Sequence, residues 1–319
     1  MSSSPLVICL LGPTAVGKTA LAVELARRFP VSVISVDSAL VYRGMDIGTG
    51  KPEPAVLAEV PHRLIDIREP WQSYSAGEFV RDGRAAIAEI VAAGRIPLLV
   101  GGTMLYFRSL WHGLSALPTA DQEVRAAIDL RAASDGWPVL HAELARVDPL
   151  TARRLHPTDR QRIQRALEVY ELTGVPLSAQ QGHAAPVTDL RFLRIAIVPG
   201  DRQLLHARIR ARFNEMLAQG FINEVAGLMQ QSEMRVDCPA MRAVGYRQLW
   251  GMLAGDYERA EAERRALAAT RQLAKRQLTW LRQETCELHL AMESATLRTE
   301  VEAALLTHGV RDALSESSG

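Results

Sequence analysis

The sequence predicts an α/β fold, a parallel sheet with helices on both faces, joined to an all-helical insertion. Three observations predict it. Short runs rich in Val, Ile and Leu alternate with segments of helical period over the first hundred residues. A glycine-bearing turn, residues 12–19, links the first apolar run to the first helix-like run. From about Pro118 to Phe192 no convincing strand pattern occurs and helical periods follow one another. Apolar strands separated by helices form parallel sheets covered on both faces, because each crossover helix must pack back on the sheet.

Leu6–Leu11 reads as the first strand and Lys18–Phe29 as a helix stopped near Pro30. Val31–Val36 is a β-branched strand ending at Asp37, and His62–Ile67 a candidate third strand. Ser75–Ala93 has helical spacing with Gly94 as its stop, and Ile96–Val100 is an apolar strand running into Gly101-Gly102-Thr103. Helical periods then cover Asp121–Ser134, Trp137–Val147, Leu150–Leu155 and Asp159–Thr173, broken by Pro and Gly. The chain is expected to return to the sheet at Phe192–Val198. Ala260–Arg282 then forms one long basic helix, followed by a short apolar run, a last helix from Thr296 and a polar tail. The expected division is a core of residues 1–116 and 188–319 and a helical insertion of residues 117–187.

The chain has 319 residues, 48% of them hydrophobic, which is enough for two cores. A net charge of +1 sets up no global field, so any nucleic-acid surface must come from local clustering. Cys9, Cys238 and Cys286 are far apart and have neither metal nor redox spacing, the pattern of a reduced compartment. Neither a signal peptide nor a membrane span is expected. Lys and Arg together number 37, yet only Lys18, Lys51 and Lys275 are lysines. A lysine surviving such a bias marks a place that needs a compact point charge.

Lys18 stands in such a place. Gly12-Pro13-Thr14-Ala15-Val16-Gly17-Lys18-Thr19, between strand and helix, has the pattern of a phosphate-binding P-loop. Its backbone N–H groups and the helix N-terminus would cradle a di- or triphosphate, Lys18 would reach the terminal phosphates, and the Thr19 hydroxyl would hold Mg²⁺. Asp37, at a neighbouring strand end, could bind Mg²⁺ through water or take a proton from a nucleophile. Gly44–Lys51 reads by default as a flexible surface loop, and His62 as a structural histidine. Arg153, Arg154, Arg160, Arg162 and Arg165 cluster in the insertion. Arg208 and Arg212 share one helix face, where they would pair with carboxylates or clamp a leaving group. The strongest basic segment is Arg264–Arg282, which holds no acidic residue and carries Trp280; Arg242, Tyr246, Arg247 and Trp250 precede it. Basic and aromatic groups together suit RNA, whose phosphates take charge and whose splayed bases take stacking.

These blocks resemble the bacterial tRNA dimethylallyltransferases, also called tRNA isopentenyltransferases. The match includes the P-loop, Ser35-Val36-Asp37-Ser38-Ala39-Leu40, Gly44-Met45-Asp46-Ile47-Gly48-Thr49 and Pro61-His62-Arg63. It continues through Leu99-Val100-Gly101-Gly102-Thr103-Met104-Leu105-Tyr106, Arg162–Val169, Ala243-Val244-Gly245-Tyr246-Arg247-Gln248 and Thr270–Arg282. The resemblance implies a P-loop core related to nucleotide kinases, with the insertion gripping the anticodon stem-loop of tRNA. It implies transfer of a dimethylallyl group from dimethylallyl diphosphate to N6 of the adenosine 3′-adjacent to the anticodon, position 37, in tRNAs reading codons that begin with U. The products would be N6-(dimethylallyl)adenosine and diphosphate.

Residue by residue, Gly12 to Thr19 would hold the diphosphate where a kinase holds ATP phosphates, with Thr19 a Mg²⁺ ligand. Asp37 would be the general base and Arg212 a diphosphate contact. tRNA would be touched by Asp37, Ser38, Ala39 and Leu40; by Gln161, Arg162, Ile163, Gln164 and Arg165; and by Arg242, Ala243, Val244, Gly245, Tyr246 and Arg247. Lys275, Arg276, Gln277, Leu278, Thr279, Trp280, Leu281 and Arg282 would also touch it, with Gly101 and Glu123 as further contacts. Val16 stands where the family has a small residue, and its side chain is expected to tolerate change. The implied enzyme is a cytoplasmic monomer with no membrane contact. A metabolite kinase and an RNA-binding NTPase switch would use the same loop, Lys18 and Thr19. The basic, aromatic C-terminal segment argues against the kinase, and the switch would need no isoprenoid.

Overall fold

The computed structural model describes residues 4–115, 117–181 and 189–311. The expected insertion edges beside residues 116 and 187–188 and the polar tail 312–319 lie outside them. The chain divides into two compact units, Met1–Arg108 with Thr188–Gly319, and Ser109–Val187.

The first unit is built on β1 (Leu6–Leu11), α1 (Lys18–Arg28), β2 (Val31–Val36), α2 (Pro54–Glu59), β3 (His62–Arg63), α3 (Ala76–Ala92), β4 (Ile96–Gly101) and the start of α4 (Met104–His112). α3 begins with a capping box, Ser75 with Glu78, which satisfies donors at both positions. The helical unit holds α5 (Gln122–Asp135), α6 (Trp137–Val147), α7 (Pro149–Arg154), α8 (Arg160–Thr173) and α9 (Leu177–Gln180). The chain then adds β5 (Arg191–Val198), α10 (Arg202–Ala218), α11 (Phe221–Met229), α12 (Tyr246–Leu253), α13 (Arg259–Leu281), β6 (Leu288–Ala291) and α14 (Leu297–Thr307) to the first unit.

The sheet has the order β3-β2-β4-β1-β5-β6, and every pairing is parallel. β1 is central, and its residues Val7 to Leu11 are fully buried, Cys9 among them. Such a strand reads as a continuous apolar run rather than an alternating one, because helices cover both its faces. A second apolar cluster under α10 to α13 contains Phe213, Phe221, Tyr246 and Leu249. The helical unit has its own core, with Ile128, Leu140, Leu144, Ile163 and Leu167 at its centre.

Two expectations change. β3 stops after Arg63, because Leu64 (φ 63°) and Asp66 (φ 56°) take left-handed backbone that cannot continue a pleated strand. The short apolar run after Glu287 is a sixth strand, parallel to β5. Among the described residues no helix is long and apolar enough to cross a membrane.

Candidate active site

The site forms beyond the C-terminal ends of β1, β4 and β2, where open parallel sheets place their ligands. The phosphate loop leaves β1, and Gly17 (φ 95°) caps α1 in left-handed backbone that a side chain resists. Val16 is not a free side chain. It is buried in the main core, which corrects the expectation that it would tolerate change.

β4 lies between β1 and β2, so Asp37 and the phosphate loop are not on adjacent strands. Glycines at the end of β4 keep the gap open. A Cβ on Gly101 would run into the Val36 carbonyl, and one on Gly102 would stand 3.0 Å from the Gly12 carbonyl. Gly101 is therefore fully enclosed backbone and offers no exposed contact of its own.

Three charged groups meet over this gap. Lys18 Nζ donates to the Pro13 carbonyl at 2.6 Å. Burial lowers its pKa to about 7, Asp37 opposes that shift and the Arg212 charge adds to it. Arg212, from α10, donates to the Thr49 carbonyl at 3.1 Å and to Thr14 Oγ1 at 3.4 Å. Burial lowers its pKa as well, again opposed by Asp37. The Asp37 carboxylate accepts the Ala39 N–H at 2.8 Å, and Thr103 Oγ1 accepts the Ser38 N–H at 3.1 Å, which fixes the turn after β2. Gln277 ties the loop to α13. Its Oε1 accepts the Thr14 N–H at 3.0 Å, and its Nε2 donates to the Gly102 carbonyl at 3.0 Å. Arg208, one turn before Arg212, makes neither of Arg212's bonds.

Thr19 is exposed, and among the described residues its hydroxyl has no partner. No group of three or more His, Cys, Asp or Glu able to hold a metal occurs among the described residues. A hydroxyl beside a phosphate cradle, with one carboxylate nearby, fits Mg²⁺, which keeps most of its shell in water and substrate oxygens.

The basic run of α13 divides in two. Arg264 and Arg265 both pair with Glu261, at 2.6 Å, so that end is a salt-bridged surface. Lys275, Arg276, Thr279 and Arg282 are exposed, and among the described residues no carboxylate pairs with the three cations. Arg271 is half-buried, Leu278 is half-buried and Leu281 is in the core. The guanidinium of Arg108 lies 5.1 Å from the centre of the Trp280 ring. Upstream, Arg242 and Arg247 are exposed, and Ala243 and Val244 half-buried. Tyr246 is fully buried and donates its hydroxyl to Glu224 at 2.6 Å, so its ring is core rather than a stacking platform.

In the helical unit only Gln161 and Arg162 of the 161–165 group are exposed. Ile163 is core, and Gln164 donates to Asp129 at 2.8 Å. Arg165 is committed to Glu168 at 2.7 Å and to the Pro118 carbonyl at 2.7 Å. Glu123 is exposed in the first turn of α5. Arg153 and Arg154, at the end of α7, line a groove with Leu150, Ser178 and Gln181.

Sequence reasoning missed the order in the 44–51 loop. The Lys51 side chain is 4% exposed and binds the Tyr42 carbonyl, Asp46 and Asp66, while Glu224 receives three backbone amides of the loop. The scarcity of lysine was a signal for Lys51. Nothing local could have paired Glu224 with a loop nearly 180 positions upstream.

Comparison with known proteins agrees with this architecture. The model of the IPP transferase family matches residues 40–284, and that of isopentenyl transferases matches residues 5–69. A tRNA dimethylallyltransferase of Thioalkalivibrio sulfidiphilus is 57% identical over 309 residues, covering 94% of this chain and 97% of the relative. One from Alkalilimnicola ehrlichii is 59% identical over 281 residues, covering 88% and 89%. The crystal structure of the full-length tRNA isopentenylpyrophosphate transferase of Bacillus halodurans superposes with a TM-score of 0.69 at 34% identity, covering 96% of each chain. A eukaryotic dimethylallyltransferase acting on tRNA shares the fold, with a TM-score of 0.79 at 24% identity, covering 97% of this chain and 81% of that one. With a parallel six-stranded sheet, a separate helical unit and relatives of this identity along almost its whole length, the chain belongs to the IPP transferase family, the tRNA dimethylallyltransferases.

Proposed function

We propose that the chain transfers the dimethylallyl group of dimethylallyl diphosphate to N6 of the adenosine at tRNA position 37, 3′-adjacent to the anticodon, in tRNAs reading codons that begin with U. The observation that carries this reading is the meeting of Lys18, Arg212 and Asp37 at the glycine loop, where Arg212 also reaches Thr14 Oγ1.

An adenine amine is a weak nucleophile, so the electrophile must do much of the work. As the allylic C–O bond stretches, positive charge spreads over the allyl group and negative charge gathers on diphosphate. Lys18, Arg212 and the loop amides stabilise that leaving group, Lys18 by exchanging its bond to the Pro13 carbonyl for one to the diphosphate. Thr19 would hold Mg²⁺, which would supply further charge neutralisation to the leaving group. Asp37 accepts an amine proton as the C–N bond forms. The adenosine leaves the loop stack to reach the crevice. The exposed cations of α13, with Arg242 and Arg247, and Gln161 and Arg162 of the helical unit, hold tRNA phosphates and bases in this reading. The reading carries with it a monomeric enzyme working in the cytoplasm.

Incubation with unmodified tRNA and dimethylallyl diphosphate labelled in the allyl group, without ATP, tests it. Label in tRNA is expected. Phosphate release from ATP with no label transfer would instead support a kinase or a nucleotide switch. Asp37→Ala should lower the single-turnover rate about a hundredfold or more while tRNA affinity stays within about twofold. A near-normal single-turnover rate would remove Asp37 from the role of base.

A further inference from the structure

The 44–51 loop behaves as an anion nest whose anion is the protein's own. Glu224, in the first turn of α11, accepts the Asp46 N–H at 2.9 Å and the Ile47 N–H at 2.7 Å on one oxygen. Its other oxygen accepts the Gly48 N–H at 3.1 Å and the Tyr246 hydroxyl at 2.6 Å. Successive backbone N–H groups aimed at one point bind anions, and a carboxylate with both oxygens filled is the strong form of that interaction. The far side of the loop is pinned by Lys51, whose ammonium binds the Tyr42 carbonyl at 3.1 Å as well as Asp46 and Asp66. The Thr49 hydroxyl closes the turn on the Met45 carbonyl at 2.7 Å.

What this rigid turn presents is the Thr49 carbonyl, and Arg212 Nη2 donates to it at 3.1 Å. The other terminal nitrogen, Nη1, donates to Thr14 Oγ1 in the glycine loop at 3.4 Å. Among the described residues no carboxylate pairs with Arg212. A four-torsion side chain in that setting takes its aim from its acceptors, and the shorter of the two bonds goes to Thr49. We propose that Glu224 is a positioning residue for Arg212, holding the 46–49 turn so that the Thr49 carbonyl aims the guanidinium at the diphosphate. The proposal rests on the reading of Arg212 as a diphosphate contact.

The test is a double-mutant cycle on the full chain, with label transfer measured at varied dimethylallyl diphosphate and at varied tRNA. Glu224→Gln keeps the size of the side chain but turns an N–H donor toward a loop amide or toward Tyr246. It should lower kcat/KM for dimethylallyl diphosphate about tenfold, because small misplacements of a charge-stabilising group are costly. KM for tRNA should change by less than about twofold. In an Arg212→Ala background the same substitution should add less than about a twofold loss, since the group it aims is gone. A loss of equal size in both backgrounds would overturn the proposal and leave Glu224 as a purely structural anchor. If Arg212→Ala itself leaves kcat/KM for dimethylallyl diphosphate unchanged, the diphosphate reading fails first and this inference with it. Should Glu224→Gln fail to fold by thermal melting, Tyr246→Phe removes one donor to the same carboxylate. It should give a smaller loss with the same non-additivity against Arg212→Ala, and additivity there would overturn the proposal equally.

Discussion

Lys18 carries its charge where burial resists it, and this gives the site a pH dependence with a definite sign. Its pKa falls from 10.5 to about 7, chiefly by burial, with Arg212 adding to the shift and Asp37 opposing it. Between those two values the unfolded chain binds the proton and the folded chain does not. The cost to folding is therefore full below about pH 7 and is relieved as pH rises toward the unfolded value. An anion in the loop reverses the balance and recovers the ammonium. Binding of pyrophosphate to the free protein at about pH 8.5 should take up about one proton more than binding to Lys18→Met, and the difference should vanish near pH 6. Calorimetry in buffers of different ionisation enthalpy reads that difference directly, and equal uptake by the two proteins would refute the assignment. Lys18 was visible in the sequence because the motif names it. Its lowered pKa was not, because the burial that chiefly lowers it and the Arg212 charge from α10 that adds to it arise only when the chain has folded.

At the scale of elements, α13 shows how much a charge pattern can tell. The sequence marks the whole of Arg264–Arg282 as basic, since no acid interrupts it. Glu261, just before that run, cancels Arg264 and Arg265 through bonds three and four residues apart on one helix. What stays uncommitted is the end holding Lys275, Arg276 and Arg282. Replacing Arg276 and Arg282 together by Ala should weaken tRNA binding and reduce the slope of log affinity against log salt by about two. Filter binding across a salt series measures it, and a slope equal to wild type would exclude this surface from phosphate contact. The 44–51 segment fails in the opposite sense. Its glycines read as flexibility, whereas Glu224 and Lys51 pin it from opposite sides.

At the scale of the molecule, the two units carry separate cores, so damage to one should not spread evenly. Glu168 is the test. It is fully buried in the helical unit, where Arg125, Arg165 and the Asp121 N–H bond its carboxylate. Burial alone would raise its pKa, but those bonds outweigh burial and hold it below the usual carboxylate value. Glu168→Ala strands two arginines and should cost about 3 kcal/mol, the low end of such losses because both arginines still reach solvent. Hydrogen exchange should quicken in α5 and α8 and stay unchanged in β1 and β4; uniform quickening would contradict separate cores. By itself the sequence determined the parallel sheet, most helix positions and the family, because apolar period, capping residues and contiguous motifs are local. Only the tertiary structure decided that β4 separates Asp37 from the phosphate loop, that Tyr246 and Ile163 are core, and that a glycine-rich loop is held rigid by a distant glutamate. Those outcomes depend on strand order and on partners far apart in the chain, and neither is encoded in the spacing of neighbouring residues.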